Sequence, residues 1–145
     1  MLRLRGFLPS DTEPVARLVA ATFTEPYPSN LWADISGYWP DGFIVAEQDG
    51  ALAGLLAAVR DSEASARVLL FAIAQPLRNR GIGKAVLREL LRRCAGMGLR
   101  YVSLEVRVTN SSAIRFYEAH GFQATERIPA FYTDGEDGFR MVLFL

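Results

Sequence analysis

A segment near the middle of the chain combines three cations with two glycines. It reads Arg78, Asn79, Arg80, Gly81, Ile82, Gly83 and Lys84. An apolar run over residues 68–74 leads into it, and a helical pattern over residues 84–95 follows it. The free N–H groups and the positive dipole at the start of a helix suit a phosphate, which glycine lets come close and basic side chains attract. We therefore predict that residues 78–84 form a phosphate-binding loop.

The residues that this loop lacks narrow the choice of possible phosphate ligands. The P-loop of a nucleotide triphosphatase needs Gly at position 78 and Ser or Thr at position 85, where this chain has Arg78 and Ala85. A dinucleotide fingerprint needs a third glycine where Val86 stands, although Glu105 lies near the expected distance of its acidic residue. The loop therefore argues against a triphosphatase, whereas a dinucleotide site and a plain glycine turn with solvated cations remain open.

Composition limits the class of protein. The 145 residues suit one domain over residues 1–145, and sixteen basic residues balance sixteen acidic ones, so we expect no nucleic-acid partner and no membrane partner. One cysteine, Cys94, and one histidine, His120, allow neither an internal disulfide nor a Cys/His metal cluster. The first residues alternate Leu with Arg and show no signal-peptide core. We expect a cytoplasmic protein without a metal.

Hydrophobic periodicity predicts alternating helices and strands that must position the loop. The predicted strands are residues 2–5, 43–47, 51–59, 68–74, 100–108, a strand from residue 122 and 139–145. The first predicted helix follows a Ser10–Glu13 capping box, and a proline break at 25–30 comes after it. Three further helices are predicted to cover residues 31–39, 84–95 and 111–120. The apolar run 68–74 suits a central strand that is covered on both faces. Because a helix joins it to strand 100–108, these two strands should be parallel.

Two motifs together resemble a known family. The spacing Arg78-x-x-Gly81-x-Gly83 resembles the Arg/Gln-x-x-Gly-x-Gly/Ala loop of the GCN5-related N-acetyltransferases (GNAT), which holds the pyrophosphate of acetyl-CoA. The second motif is Leu104-Glu105-Val106-Arg107-x-x-Asn110-x-x-Ala113-Ile114-x-Phe116-Tyr117-Glu118-x-x-Gly121-Phe122, followed by Tyr132 and Gly135-Glu136-Asp137-Gly138. It resembles the RimI-type N-alpha-acetyltransferases, which modify protein N-termini. The resemblance extends over residues 68–141, about half of the chain.

The resemblance implies a fold and a cofactor. The fold would be the α/β (α+β) GNAT fold, a mixed, mostly antiparallel sheet of six to seven strands with helices on both faces. The cofactor would be acetyl-CoA, with CoA as product, and its phosphates would bind residues 78–84. Backbone groups of Ala72 and Ile73 would pair with the pantetheine arm, which Asn110 and Tyr117 would also contact.

The same resemblance implies the chemistry. Tyr117 matches the general acid that serves the CoA thiolate, and Glu105 matches the general base. A thiol has a reference pKa of about 8.5 and a phenol one of about 10, so a hydrogen bond or proton from Tyr117 steadies the leaving group at little cost. Without the resemblance, Glu105 would be assigned as a strand carboxylate paired with Arg107 or a neighbouring strand, and Tyr117 as helix packing.

The acceptor implied by the resemblance is the N-terminal α-amine of a protein or peptide. Such an amine, with a pKa near 8, is about one-tenth neutral at pH 7, whereas a lysine amine near 10.4 needs far more help from a base. Tyr27, Phe131 and Tyr132 would flank the amine entrance. The alternatives are a GNAT enzyme that acetylates a small-molecule amine and a CoA-binding module without catalysis. Either a monomer or a homodimer is compatible with the sequence.

Overall fold

A seven-stranded sheet organises the computed structural model, which describes residues 1–28 and 30–145. Ser29, part of the predicted proline break, lies outside the described residues. The strands are β1 (Leu2–Arg5), β2 (Phe43–Gln48), β3 (Ala51–Ser62), β4 (Ser65–Ile73), β5 (Tyr101–Arg107), β6 (Gln123–Ile128) and β7 (Gly138–Phe144). The helices are α1 (Thr12–Thr22), α2 (Leu31–Tyr38), α3 (Ile82–Gly96) and α4 (Ser111–Ala119).

The strand order confirms the predicted mixed sheet. It runs β1-β2-β3-β4-β5-β7-β6, and every neighbouring pair is antiparallel except β4 and β5. The crossover helix α3 connects this parallel pair, as a parallel connection requires. Strands β2 and β3 form a hairpin that turns at Asp49 and Gly50, whose φ angles of 52° and 84° are those of a tight primed turn.

Helices cover both faces of the sheet. On one face the apolar stripe of α3 packs against β2, β3 and β4, and the fully buried members include Val86, Leu90 and Cys94. On the other face α1 and α2 bury Val15 and Trp32 against β2, β3 and β4. Each large apolar side chain buried in this way contributes roughly 1.5–3 kcal/mol. Cys94 is a packing residue, and burial raises the pKa of its thiol to about 11.

The start of α1 differs from the prediction. The helix begins at Thr12 after a 3₁₀ turn, Pro9–Asp11, so Ser10 is not its N-cap. Asp11 accounts for the difference. Its carboxylate accepts a hydrogen bond from the Leu8 N–H at 2.7 Å and pairs with Arg5 at 2.8 Å. These two contacts stabilise the tighter turn ahead of the helix.

The parallel strands β4 and β5 separate part of the way along, which opens the sheet. Their pairing covers only Ser65–Val68 against Tyr101–Leu104, and a bulge in β4 at Leu69 interrupts its pairing with β3 at the same level. Leu69 is 39% exposed. Both faces of β4 stay packed beyond Val68, since Leu70 and Ala72 are buried and Phe71 and Ile73 pack against the core below α3, so the predicted cover holds except at Leu69. What opens onto the cleft is the edge of β4 that has left β5.

Candidate active site

The cleft between the separated strands has a volume of about 610 Å³. The start of α3 and the inner side of α4 form one end, and residues that follow α1, together with Tyr132, form the other. The two ends are called here the phosphate end and the amine end. Most of the residues predicted to be functional lie in this one cleft, although they are spread over residues 27–132 of the chain. Those in its lining are Tyr27, Ala72, Ile73, Arg78, Asn79, Gly81, Gly83, Lys84, Glu105, Asn110, Tyr117 and Tyr132.

The phosphate end is a helix start whose donors have no side-chain cap among the described residues. Helix α3 begins at Ile82, two residues before the predicted start, and its N-cap Gly81 has a φ of 82°. Asn79 has a φ of 65°, so two left-handed residues turn the backbone before the helix. No acidic residue stands in the first turn of α3. The N–H groups of this turn are therefore free to bind an anion from outside.

Three residues of the predicted loop have other environments. Ile82 is only 4% exposed and packs in the core below α3, so its contribution is the backbone N–H. Arg80 is exposed on the surface beside the cleft and does not line it. Arg78 lines the cleft, and its Nε donates to the Ile73 carbonyl at 3.0 Å. This bond ties the loop to the end of β4 and leaves the outer guanidinium nitrogens available.

The middle of the cleft has a strand edge and a helix cap. Ala72 and Ile73 lie on β4 beyond the point where it leaves β5, so the described structure pairs this edge with no other strand. Asn110 caps α4, because its Oδ1 accepts the Ala113 N–H at 3.2 Å. The free strand edge can pair with an amide-bearing chain, and the Asn110 side chain lies beside it in the cleft lining.

Tyr117, on α4, presents a phenol to the centre of the cleft. Burial raises its pKa well above the usual value, and the neighbouring Tyr132 adds to this effect. None of the hydrogen bonds found among the described residues involves the Tyr117 hydroxyl. The phenol therefore stays protonated at neutral pH and has a hydrogen bond to donate to a ligand.

Glu105, on β5, is held by arginines from both neighbouring strands. Its side chain is 6% exposed, and Oε1 accepts a hydrogen bond from Nε of Arg67 at 2.9 Å, while Oε2 accepts one from Nε of Arg140 at 3.0 Å. Arg107, which the sequence offered as its other partner, pairs elsewhere. The pairing with neighbouring strands is therefore real, and the role of Glu105 as a general base stays a prediction.

Arg107 joins the parts of the amine end. Its Nη1 lies 2.8 Å from both Asp134 Oδ2 and Glu136 Oε1, while its Nη2 donates to Thr24 Oγ1 at 3.2 Å and lies 3.5 Å from Glu25 Oε1. Hydrogen bonds to Glu136 and Asp134 raise the pKa of Arg107, with Glu136 the strongest contributor. One guanidinium therefore connects the segment after α1 to the β6–β7 connection.

Glu25 adds a second connection between the same two segments. Its carboxylate accepts the Thr133 N–H at 3.0 Å and the Thr133 hydroxyl at 2.7 Å. No motif in the sequence marks Glu25 and Arg107 as members of one network. The proline beside Glu25 and the position of Arg107 two residues after Glu105 were the only signals, and neither shows that the two residues meet across 82 positions of sequence.

The aromatic residues of the predicted entrance divide between two positions. Tyr27 and Tyr132 line the cleft, and the Arg107 guanidinium lies 4.1 Å from the centre of the Tyr132 ring. Burial raises the pKa of Tyr132 to about 12 and that of Tyr27 above its usual value. Phe131 does not line the cleft; it packs edge-on against Tyr132 with 5.0 Å between ring centres and supports that ring from outside.

The mixed sheet and its cleft, with free backbone donors at one end and an opening at the other, fit a transferase that uses a phosphorylated carrier as cosubstrate. The chain belongs to the acetyltransferase (GNAT) family, whose sequence model matches residues 12–122. It is thus an acetyl-CoA-dependent N-acetyltransferase, and the free helix start of α3 fits the phosphates of that cofactor.

Three relatives show the range of similar proteins. An uncharacterised N-acetyltransferase of Methanocaldococcus jannaschii is 34% identical over 143 residues, which are 96% of this chain and 89% of the relative. A putative ribosomal protein bS18-alanine N-acetyltransferase of Bacillus subtilis is 30% identical over 142 residues, 95% and 92% of the two chains. An N-alpha-acetyltransferase of Sulfurisphaera tokodaii is 27% identical over 151 residues, 96% and 90% of the two chains.

A solved structure agrees with the described fold. Ard1 from Thermoplasma volcanium superposes with a TM-score of 0.96 at 34% identity, over 99% of this chain and 97% of that one. In the part of the chain that the structure describes, no helix is both long and apolar enough to cross a membrane.

Proposed function

We propose that the chain, as one GNAT domain over residues 1–145, transfers the acetyl group of acetyl-CoA directly to the N-terminal α-amine of a protein or peptide. The observation that carries this proposal is the order of groups along one cleft. A free helix start, an unpaired strand edge and the Tyr117 phenol follow one another from the phosphate end, and the cleft then opens between Tyr27 and Tyr132. The names of the relatives from Sulfurisphaera tokodaii and Bacillus subtilis support an acceptor of this kind.

The residues of the cleft divide the work. Acetyl-CoA, when bound, supplies an acetyl thioester, whose C–S bond breaks as the amine nitrogen forms a C–N bond to the carbonyl carbon. The phosphate loop, residues 78–84, holds the phosphates, while Ala72, Ile73 and Asn110 align the arm. Tyr117 donates a hydrogen bond to the departing sulfur, and its raised pKa keeps the phenol protonated for this role, although the same shift raises the cost of giving up the proton outright. Glu105 accepts the proton that the amine loses.

The proposed acceptor fits the weakness of the available base. A carboxylate acting on a lysine amine at pH 7 faces about 3.4 pKa units of deprotonation, or about 4.6 kcal/mol, whereas an α-amine needs roughly one unit. The amine end also carries three carboxylates, Glu25, Asp134 and Glu136, around the single cation Arg107. This excess of negative charge favours the approach of an ammonium group.

Acetyl transfer to a matched panel tests the proposal. The panel contains short peptides with free N-termini, the same peptides with blocked N-termini and one internal lysine, and small amines such as polyamines and free amino acids. We expect a mass increase of one acetyl group on the free N-termini. A preference for small amines would replace the acceptor by a small molecule, and CoA binding without turnover on any amine would reduce the chain to a cofactor-binding module.

The proposal also covers the compartment and the oligomeric state of the enzyme. The balanced charge and the single buried thiol support a cytoplasmic enzyme, a monomer or a homodimer, that uses neither nucleic acid nor a membrane as partner. Light scattering after gel filtration gives the oligomeric state directly. A tetramer or larger assembly would contradict this part of the proposal.

A further inference from the structure

Four charged side chains form a row across four adjacent strands where the cleft begins. The row consists of Arg67 on β4, Glu105 on β5, Arg140 on β7 and Glu126 on β6. Arg67 Nη2 and Nε lie 2.8 and 2.9 Å from Glu105 Oε1, Arg140 Nε lies 3.0 Å from Glu105 Oε2, and Arg140 Nη1 lies 2.8 Å from Glu126 Oε1. We call this set the charge row. Its two cations and two anions balance.

The charge row lies at the apex of the cleft. The last paired residues of β4 and β5 are Val68 and Leu104, and Glu105 is the first residue of β5 beyond that pair. Arg67, which stands opposite Ser103, therefore reaches diagonally across the two strands to the carboxylate. The Arg67–Glu105 contact ties the strands together immediately before they separate. It fixes both the opening of the cleft and the position of the carboxylate.

The contacts of Glu105 limit what its carboxylate can do. Oε1 is contacted by both Nε and Nη2 of Arg67, whereas Oε2 accepts one hydrogen bond, from Nε of Arg140, so the remaining acceptor position is on Oε2. Arg107, two positions further along the same side of β5, is engaged with Glu136 and the other groups of the amine end. Arg67 and Arg140 are thus the cations that hold Glu105 in place.

We propose that Arg67 and Arg140 are positioning residues for acetyl transfer, which hold the Glu105 carboxylate at the apex of the cleft in the orientation that the proton transfer needs. In this arrangement the carboxylate takes the proton that the amine loses, and the two arginines keep its remaining acceptor position aimed at the amine. The proposal rests on the proposed acetyltransferase function and goes beyond it, because it assigns a role to two residues outside the cleft lining.

The charge row offers its own matched variants. Arg67→Ala and Arg140→Ala each remove one of the two cations on Glu105, whereas Glu126→Gln removes only the outer end of the row, where the Glu126 side chain is 53% exposed. Arg67→Lys and Arg140→Lys keep a cation and offer variants that fold if the alanine variants do not. All five are measured for steady-state transfer to a peptide N-terminus, acetyl-CoA affinity and melting temperature.

We expect the two alanine variants to lower kcat by about 10- to 100-fold, since a misplaced catalytic group costs up to about 100-fold. The KM for acetyl-CoA should stay within about twofold, because the phosphate end is untouched. Added methylguanidine should restore part of the lost rate in the alanine variants, and the lysine variants should be intermediate. Glu126→Gln should keep kcat within about twofold, as expected for an exposed ion pair.

Two results would overturn the positioning role while leaving the acetyltransferase intact. Unchanged kcat in both alanine variants would show that Glu105 needs neither arginine. A parallel fall in kcat, acetyl-CoA affinity and melting temperature, without rescue by methylguanidine, would show a purely structural tie between strands. If the unaltered enzyme itself acetylates no amine, the proposed function fails, and the role of the two arginines in transfer fails with it.

Discussion

The two ends of the cleft are built in opposite ways. At the phosphate end, the first turn of α3 has no side-chain cap among the described residues, and the surrounding cations Arg78, Arg80 and Lys84 are exposed. At the amine end, most hydrogen-bond partners of Arg107 and Glu25 are these two residues themselves and residues of the β6–β7 connection. The phosphate end therefore presents free donors to a ligand, whereas the amine end is held together by the charges of the protein itself.

The difference predicts how each end responds to substitution. Free donors at the phosphate end contribute to ligand binding and little to folding, so losing them should change affinity alone. The ion pairs at the amine end order two chain segments that are distant in sequence, so losing them should change both substrate binding and local stability. Tyr117 and Glu105 lie between the two ends, and substitutions there should change the chemical step.

The largest expected effect is that of Tyr117→Phe. Loss of the hydroxyl removes the donor to the leaving sulfur and should lower kcat by about 10²- to 10⁴-fold, the usual contribution of a general acid. The ring still packs against Phe71 and Phe122, so acetyl-CoA affinity should change by less than about threefold. Steady-state kinetics and calorimetric titration with CoA measure the two quantities.

Phe116→Leu, one position earlier on α4, is the control for packing, because the Phe116 ring also lines the cleft but carries no hydroxyl. If Tyr117→Phe keeps a wild-type kcat, the acid role of Tyr117 is wrong. The chemical step would then not depend on this residue between the two ends of the cleft.

The next effect is that of Arg107→Ala at the amine end. Hydrogen bonds to charged groups are worth about 1.5–3 kcal/mol, so the peptide KM should rise at least about tenfold. The segments around residues 24–28 and 131–136 should also become more sensitive to proteolysis, because Arg107 connects them. The affinity for CoA should stay within about twofold.

Arg127→Ala is the matched control, since Arg127 pairs with Asp137 at the edge of the same connection and its side chain is 59% exposed. It should leave the peptide KM nearly unchanged. If Arg107→Ala behaves like Arg127→Ala, the ion pairs of the amine end contribute to neither peptide binding nor local stability. The contrast between the two ends would then lose its main support.

The same contrast explains how far the sequence could predict the site. The phosphate loop depends on residues 78–84 and the helix that follows them, so its glycines, cations and position at a helix start are all visible in one short stretch. The amine end depends on contacts such as Glu25 with Thr133, which are 108 positions apart. No local pattern encodes such a contact. The aromatic residues of the amine end were therefore predictable from the sequence, whereas the ion pairs that hold them were not.

The fold shows the same limit at a smaller scale. Alternation and apolar runs predicted the order of strands and helices correctly, because burial on a regular element leaves a period in the sequence. The bulge at Leu69 leaves no such period, since an extra residue in an apolar strand is still apolar. The separation of β4 and β5, on which the cleft depends, was therefore not predictable from residues 68–74.

A moderate effect is expected at the phosphate end from the double variant Arg80→Gln and Lys84→Gln. Each exposed cation contributes up to about 1 kcal/mol to an ion pair, so the pair should weaken CoA binding by about tenfold at low salt. The loss should shrink as ionic strength rises, because exposed charges are screened. The melting temperature of the ligand-free protein should not change by more than about 2 °C, since a surface change of this kind is within about 0.5 kcal/mol.

Arg88→Gln removes a similar exposed charge one turn further along α3 and is the control. CoA binding should be reduced less than about twofold in that variant. Equal losses in Arg88→Gln and in the double variant would indicate a general electrostatic effect of α3 instead of a site at its start.

The smallest expected effects are changes in stability on replacing the two glycines of the phosphate loop, and the two replacements should differ. Gly81 has a φ of 82°, which costs an alanine roughly 1–2 kcal/mol, so Gly81→Ala should lower the melting temperature by a few degrees. Gly83 lies in the first turn of α3, and a Cβ there would meet Phe116, Ile73 and Phe71 at ordinary distances of 3.6–3.7 Å. Gly83→Ala should therefore leave stability unchanged or raise it by up to about 1 kcal/mol. Thermal melts of the two variants without ligand measure the contrast, and a Gly83→Ala protein as unstable as Gly81→Ala would show that the helix does not begin at Ile82.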